Sequence, residues 1–222
     1  MQTKSIFLSA VFLSLLCSVC TAQTTAAASL YGAFNKSTSG NNTKQSPANA
    51  AGGLIELRQI KSPLFGYEVT YAYNRANQGL SSGSLVCPGV SCTLSTAAIS
   101  ANAHEVTGDW VISVKAGSLR PFALAGGGFL LNVPTGGTVT TTTDFNQTGL
   151  SAQSTTTAAT STSTKGVFVY GGGLDWRLLP RIGLRLQYRG NLYQASALAT
   201  AFSSTNAFTH TAEPMIGVYF RP

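Results

Sequence analysis

The amino-acid sequence predicts an all-β protein, an eight-stranded antiparallel up-and-down transmembrane β-barrel with short turns at one end and long loops at the other. Three observations predict it. Charged residues make up only 9% of the 222 residues, against roughly 25% in an ordinary soluble domain, and a water-facing surface needs more charge than this. Apolar and polar residues alternate with a period of two in successive segments, and short and long connections follow each other in strict alternation.

Residues 1–22 have the pattern of a secretory signal peptide. Lys4 precedes an apolar stretch from Ile6 to about Val19, and small residues then favour cleavage between Ala22 and Gln23. A membrane anchor is the alternative, but about fourteen apolar residues are short of the roughly 20 that a spanning helix needs. We therefore expect a signal peptide over residues 1–22 and a β-barrel domain over residues 23–222.

Two segments give the clearest alternation. In 66–74, Tyr67, Val69 and Tyr71 share one face, while Glu68 and Thr70 share the other. The same pattern recurs over 182–189, where apolar residues at even positions oppose arginines and Gln187 at odd ones. Strand side chains point to opposite faces in turn, so both segments predict half-apolar strands. The eight predicted strands are 29–34, 55–58, 66–74, 110–115, 121–131, 168–177, 182–189 and 216–220.

The connections between these strands are of two kinds. Residues 60–64, 116–120 and 178–181 form short turns, whereas 35–51, 76–105, 132–165 and 193–210 form long, polar connections. An up-and-down membrane barrel has this arrangement. Residues 135–164 contain seventeen Ser or Thr in thirty positions, and we expect a mobile loop there because so little apolar surface can be buried.

Charged residues fall on the polar face of the predicted strands. Four acids and four bases suggest a near-neutral, salt-bridged lumen, because an eight-stranded barrel is filled by side chains and an unpaired buried charge is costly. Glu68 and Arg185 are one hypothetical pair. A soluble secreted β-sandwich with scattered surface charges is the alternative. The predicted lumen network comprises Glu56, Arg58, Glu68, Lys115, Asp175, Arg185, Arg189 and Glu213.

Large aromatic residues fall on the opposite, apolar face. Tyr67, Trp176 and Phe220 are predicted near the short-turn ends, and Tyr73 and Trp110, with Phe168, toward the loop ends. Two aromatic girdles are typical of the two lipid interfaces. With export and sheet closure, this face indicates an outer membrane, with periplasmic turns and extracellular loops. The predicted lipid-facing aromatics are Tyr67, Tyr71, Tyr73, Trp110, Tyr170, Trp176, Tyr188 and Phe220.

The remaining chemistry-bearing residues are few. Cys87 and Cys92 lie in a turn-rich stretch of an exported chain and predict a disulfide. His104 and His210 are isolated in sequence and favour neither a metal site nor catalysis. The net charge of +7 comes from scattered basic residues, which argues against nucleic-acid binding. We expect no cofactor.

Several segments together resemble the small outer-membrane barrels of the OmpA/OmpX type. They are 30–34 (LYGAF), 66–68 (GYE), 119–128 (LRPFALAGGG) and 216–220 (IGVYF). The resemblance implies insertion by the outer-membrane assembly machinery with periplasmic chaperones. We also expect contact with outer-membrane lipids and lipopolysaccharide, and a monomer. The last strand departs from the usual aromatic terminus, since Arg221 and Pro222 follow Phe220.

The expected role is that of a structural or surface-interaction barrel without catalysis. A small-conductance, porin-like pore is one alternative, and a lipid A-modifying barrel enzyme is another. The sequences around His104 and His210 do not resemble the His-x-Ser arrangement of the barrel-type lipid A deacylases.

Overall fold

The computed structural model describes residues 23–62, 64–83, 91–145 and 150–222. The predicted signal peptide and Ala22, at its cleavage site, lie outside the described residues, as does Cys87. The described residues form twelve antiparallel strands in one sheet. They are β1 (Gln23–Asn35), β2 (Thr38–Gly40), β3 (Thr43–Pro47), β4 (Ala50–Ile60), β5 (Phe65–Arg75), β6 (Gln78–Gly83), β7 (Cys92–Ser113), β8 (Leu119–Phe145), β9 (Leu150–Thr157), β10 (Ser163–Arg177), β11 (Ile182–Gln194) and β12 (Phe208–Phe220).

Eight of these strands close into a ring. The pairings run β1–β4–β5–β7–β8–β10–β11–β12, and β12 pairs back with β1 from Ala26 opposite Phe220 to Asn35 opposite Thr211. Closure gives each strand two hydrogen-bonded neighbours, which removes the sheet edges along the barrel. The eight-stranded barrel predicted from the alternation is therefore confirmed, and the β-sandwich alternative is wrong because the strands form one closed ring rather than two packed sheets.

The strands on the loop side are longer than the sequence pattern indicated. The outer parts of β7 and β8 continue beyond the barrel and pair with each other from Cys92 opposite Asp144 onward. On one side, β6 pairs with the outer part of β7, β3 pairs with β6, and β2 pairs with β3. On the other side, β9 pairs with the outer part of β8. We use the name outer-end sheet for this extension, which consists of β2, β3, β6, β9 and the outer parts of β7 and β8.

The expectation of a mobile loop over 135–164 is wrong for the described part of that stretch. Residues up to Phe145 continue β8, and Leu150–Thr157 form β9. Threonine is β-branched and favours strands, and its hydroxyls bond across neighbouring strands, as between Thr140 and Thr155 at 3.1 Å. The described part of this stretch therefore forms ordered strands, although few of its side chains are buried and few are charged.

A segment between β11 and β12 covers the outer opening of the barrel. Residues 195–207, which we call the outer cap, contribute Leu198, Ala199 and Phe202 to a buried apolar cluster whose other members come from the outer-end sheet and Ala158. Below it, a second cluster around Val111, Phe122 and Val169 lies inside the barrel. A third cluster, made of Tyr31, Ala33, Leu54, Ala72 and Met215, also lies inside the barrel. The described residues thus form two apolar clusters in the lumen and one beneath the cap.

Candidate functional site

The lumen concentrates nearly all the acidic residues of the chain. Six of the seven Asp and Glu residues are buried on the inward faces of barrel strands, and only Asp144 lies elsewhere. Three arginines are fully buried with them. The expected balance of four acids and four bases is therefore wrong, because the buried acids outnumber the buried arginines by two to one. The inward acids are Glu56, Glu68, Glu105, Asp109, Asp175 and Glu213, and the arginines are Arg58, Arg185 and Arg189.

The first group of charges lies toward the short turns. Arg58 Nε donates to Glu68 Oε2 at 2.7 Å, and Arg58 also reaches Asp175 Oδ2 at 3.4 Å. Arg185 donates to both oxygens of Asp175 and contacts Glu56. We call these five residues the turn-end charge layer. It joins β4 and β5 to β10 and β11 across the lumen, so it holds opposite walls of the barrel together.

Phe122 on β8 packs against this layer. The guanidinium carbon of Arg58 lies 3.9 Å from the centroid of the Phe122 ring, and that of Arg185 lies 5.2 Å away. Such contacts between a guanidinium and a ring face are attractive when both groups are removed from water. The ring thereby fills the space between two like charges.

The second group lies nearer the loops. Arg189 on β11 donates to Glu105 Oε1 on β7 at 3.0 Å and to the Thr107 hydroxyl at 3.2 Å. Thr107 in turn donates to Asp109 Oδ2 at 2.9 Å. With Glu213, which faces Arg189 in register on β12, these residues form the loop-end charge layer, defined as Glu105, Asp109, Arg189 and Glu213.

One member and one pairing of the predicted network differ from the structure. Lys115 does not enter the lumen, because β7 ends at Ser113 and Lys115 is exposed in the following turn. Glu68 is bonded to Arg58 rather than to Arg185. Glu105 and Asp109 were not among the predicted members. Glu105 and Asp109 have odd numbers, like Val111 and Ser113 on the inward face of the same strand. Extending the predicted strand toward its N-terminus would therefore have placed both acids in the lumen.

A cavity of about 60 Å³ lies between the loop-end charge layer and the outer cap. Its floor includes Glu105, Asn191 and Glu213, and its roof includes Gln45 and Ser196. Strands β1, β5, β7, β8, β11 and β12 all contribute to its wall. The cavity therefore lies within the lumen near the barrel's outer end.

Hydrogen bonds fasten the outer cap on two sides. Gln45 and Gln78 each donate to the Ser196 carbonyl, at 3.1 and 3.0 Å. On the opposite side, the Ser161 amide donates to the Leu198 carbonyl at 3.0 Å. The Thr38 and Thr205 hydroxyls meet at 3.0 Å. The cap thus spans the opening from β2 and β3 to the start of β10.

The outer face of the barrel is apolar on all eight strands. The predicted lipid-facing aromatics point outward, with Trp110 73% exposed. Trp110 lies near the short-turn end of β7, opposite Tyr67 on β5, so its expected position toward the loops is wrong. The large exposed apolar side chains of the barrel strands include Leu30, Phe34, Ile55, Leu57, Val69, Tyr71, Tyr73, Val106, Ile112, Phe129, Phe168, Tyr170, Trp176, Leu186, Tyr188, Leu192, Ile216, Val218 and Phe220. A surface of this kind is stable against lipid rather than water.

The two histidines belong to this outer face. His104 Nδ1 hydrogen-bonds the Tyr71 hydroxyl at 2.8 Å, and His210 Nε2 hydrogen-bonds the Tyr170 hydroxyl at 2.9 Å. They lie on β7 and β12, which are four strands apart around an eight-stranded ring. Glu105 points inward, away from its neighbour His104. The histidines therefore do not share a site with each other or with the buried acids.

Two further features concern the described part of the chain. Cys92 is disulfide-bonded at the outer start of β7; its predicted partner, Cys87, is outside that part. Within the same ranges, there is no group of three or more His, Cys, Asp or Glu that could hold a metal ion. No helix there is long and apolar enough to cross a membrane.

Solved structures share this fold. The sequence matches no protein-family model and no curated protein. Its structure is similar to Neisserial surface protein A, with 13% identity, coverage of 90% of this chain and 97% of that one, and a TM-score of 0.50. It is also similar to the outer membrane protein OprG from Pseudomonas aeruginosa, with 11% identity, coverage of 90% and 96%, and a TM-score of 0.50. By its fold, the chain is a small eight-stranded antiparallel β-barrel, similar to these two outer-membrane proteins.

Proposed function

We propose that this barrel has a structural or surface-interaction role in the outer membrane and presents the outer-end sheet at the cell surface without catalysis. The observation that carries the proposal is the fastening of the outer cap. Leu80 of β6 and three residues of the outer part of β7 pack with Leu198 and other residues of the outer cap in one apolar cluster, so the outer end is a folded platform rather than a set of free loops.

The surface chemistry of that platform favours polar contacts. All eight residues of β9 are exposed, and none of them is charged. Ser and Thr hydroxyls both donate and accept hydrogen bonds. A surface of this composition suits a partner rich in hydroxyl or amide groups, such as a glycan or an extended peptide.

The charges outside the lumen support contact with anionic lipid headgroups. Lys36, Lys44 and Arg75 are exposed toward the loop end, and Asp144 is the one acid of the chain outside the lumen. The phosphates of lipopolysaccharide would complement this positive rim.

Insertion machinery and periplasmic chaperones remain proposed partners, supported by β12, whose alternating apolar face ends at Phe220. A monomer is likewise a proposal.

The alternative function, a small-conductance pore, is not favoured because side chains fill the lumen. Two charge layers cross the barrel, the three arginines are at most 2% exposed, and the outer cap lies above them. The separation of the two histidines likewise does not favour the lipid A-modifying enzyme, since a nucleophilic mechanism needs a histidine beside an acid and a nucleophile.

Labelling of intact cells tests the proposed placement. Ser154 in β9 and Ser118 in the turn between β7 and β8 are both exposed. We expect a membrane-impermeant maleimide to label Ser154→Cys in intact cells and to label Ser118→Cys only after the outer membrane is permeabilised. Both variants must first show heat-dependent mobility in SDS, as expected of a closed barrel. Equal labelling of both sites in intact cells, or of neither, would contradict the placement.

A further inference from the structure

The cavity beneath the outer cap is lined by several oxygen atoms that have no hydrogen-bond partner. Its volume of about 60 Å³ would hold about four water-sized groups. Among the described residues that line it, every buried side-chain atom without a hydrogen-bond partner is an oxygen. Three of these oxygens belong to side chains that are more than nine-tenths buried: Gln45 Oε1, Asn191 Oδ1 and Glu213 Oε2.

The orientation of the two amides is fixed by their other contacts. Gln45 Nε2 donates to the Ser196 carbonyl at 3.1 Å, and Asn191 Nδ2 donates to Glu105 Oε2 at 2.9 Å. Both partners accept hydrogen bonds and cannot donate them when the carboxyl group is ionised. The amide nitrogens must therefore face these partners, so the amide oxygens remain available to a ligand.

The Glu213 carboxylate at the floor of the cavity has Arg189 and the Asn191 side chain nearby, but no ion pair of its own among the described residues. Arg189 lies opposite Glu213 in register, but its guanidinium extends to Glu105 and Thr107 on β7. Lys36 and Arg75 border the cavity as well, but both are exposed, whereas Glu213 is 3% exposed. A buried carboxylate in this position is stabilised by a positive ligand.

We propose that this cavity binds a small monovalent cation through Gln45 and Asn191 amide oxygens and the Glu213 carboxylate. Amide and carboxylate oxygens suit either an alkali ion or a protonated primary amine, which share a single positive charge and a preference for oxygen. The site differs from the proposed surface role, since it lies beneath the cap rather than on the platform.

Calorimetric titration of the refolded protein in detergent tests this proposal. Methylammonium chloride and potassium chloride are titrated separately at constant ionic strength, maintained with tetramethylammonium chloride, whose cation has no N–H donor and is larger. We expect saturable binding of at least one titrant. Binding of methylammonium alone identifies an amine site that uses the N–H donors, and binding of both identifies a general oxygen site for monovalent cations.

Three variants assign the binding to the cavity. We expect Glu213→Gln to weaken binding at least tenfold and Gln45→Leu to weaken it several-fold. Asp144→Asn makes the same charge change on the outer-end sheet and should stay within twofold of the wild type. Each variant is first checked for heat-dependent mobility, and Gln45→Leu carries the assignment if Glu213→Gln does not fold. Absence of saturable binding, or equal weakening by Asp144→Asn, would overturn the proposal whatever the outcome of cell labelling.

Discussion

Asp175 and Arg185 face each other across β10 and β11, and the guanidinium donates two hydrogen bonds to the carboxylate at 2.6 and 2.7 Å. Arg58 and Glu68 are likewise register partners on β4 and β5. Each pair is thus placed by strand register before any contact across the lumen forms. Arg58 then links the two pairs by reaching Asp175.

The Asp175–Arg185 pair should be strongly coupled. Breaking one buried pair by Asp175→Asn leaves a guanidinium without its carboxylate and should cost about 3–5 kcal/mol. A double-mutant cycle with Arg185→Met should give a coupling energy well above the few tenths of a kcal/mol seen for independent sites. Urea unfolding of the refolded barrel in lipid vesicles provides both measurements.

Asp144→Asn serves as the control for this cycle, because Asp144 lies on the outer-end sheet away from the three buried arginines. Its effect on the free energy of unfolding should stay within about 0.5 kcal/mol. Additivity of the Asp175 and Arg185 substitutions would show that the bidentate contact does not contribute to stability.

Strand identity could be predicted from the sequence because period-two alternation is a local property. Tyr67, Val69 and Tyr71 opposing Glu68 and Thr70 require only the pleat of one strand. Six of the eight barrel strands were predicted from this pattern, and so was the inward position of the arginines. The face on which a side chain lies was therefore predictable wherever the strand was recognised.

Pairing partners and strand lengths were less predictable. The hypothetical Glu68–Arg185 contact was wrong because register, which depends on the turns, places Arg58 directly opposite Glu68. Lys115 has the inward parity, but a strand end at Ser113 removes it from the lumen. The outer-end sheet was missed because its stability depends on neighbours distant in sequence, as in the cluster joining Leu80 to Leu198.

The disulfide of Cys92 should affect only the outer end of the molecule. Cys92 begins β7 and lies opposite Asp144 in the outer-end sheet, so reduction should leave the heat-dependent mobility of the barrel unchanged. If Cys87 is the partner, as predicted, the bond closes a short loop and stabilises by roughly 2 kcal/mol at most. Mass spectrometry of the tryptic peptide 76–115 should show a gain of two hydrogens on reduction. Linkage of this peptide to another would exclude Cys87.

The outer cap should open when its apolar contacts are reduced. Leu198 is 2% exposed in the cluster beneath the cap, and Leu198→Ala should cost about 2–5 kcal/mol of local stability. We expect faster elastase cleavage within 195–207 and a higher frequency of conductance events in planar bilayers. The barrel itself should keep its heat-dependent mobility.

Ala201→Ser changes an exposed residue of the same cap and should leave cleavage and conductance at wild-type levels. If Leu198→Ala were cleaved no faster than Ala201→Ser, the apolar cluster would not be what holds the cap. Increased cleavage without any change in conductance would instead locate the barrier to ions in the two charge layers.

Close approach of strands makes one lumen glycine sensitive to substitution. A Cβ at Gly128 on β8 would meet the Val106 carbonyl oxygen and would lie 2.7 Å from Thr107 Cα on β7. These are backbone atoms of a paired strand, so they can move only if the sheet distorts. Gly128→Ala should therefore destabilise the barrel by about 1–3 kcal/mol, measured by urea unfolding in vesicles.

Gly166 on the neighbouring β10 provides the matched comparison. A Cβ there has no atom within 4 Å and would point toward lipid, since Gly166 is exposed and outward-facing. Gly166→Ala should change the free energy of unfolding by no more than about 0.5 kcal/mol. Equal effects of the two substitutions would mean that strand propensity, rather than the contact with Val106 and Thr107, determines the cost at Gly128. A large effect confined to Gly128 would show that β7 and β8 cannot separate to admit even one methyl group while the ring stays closed.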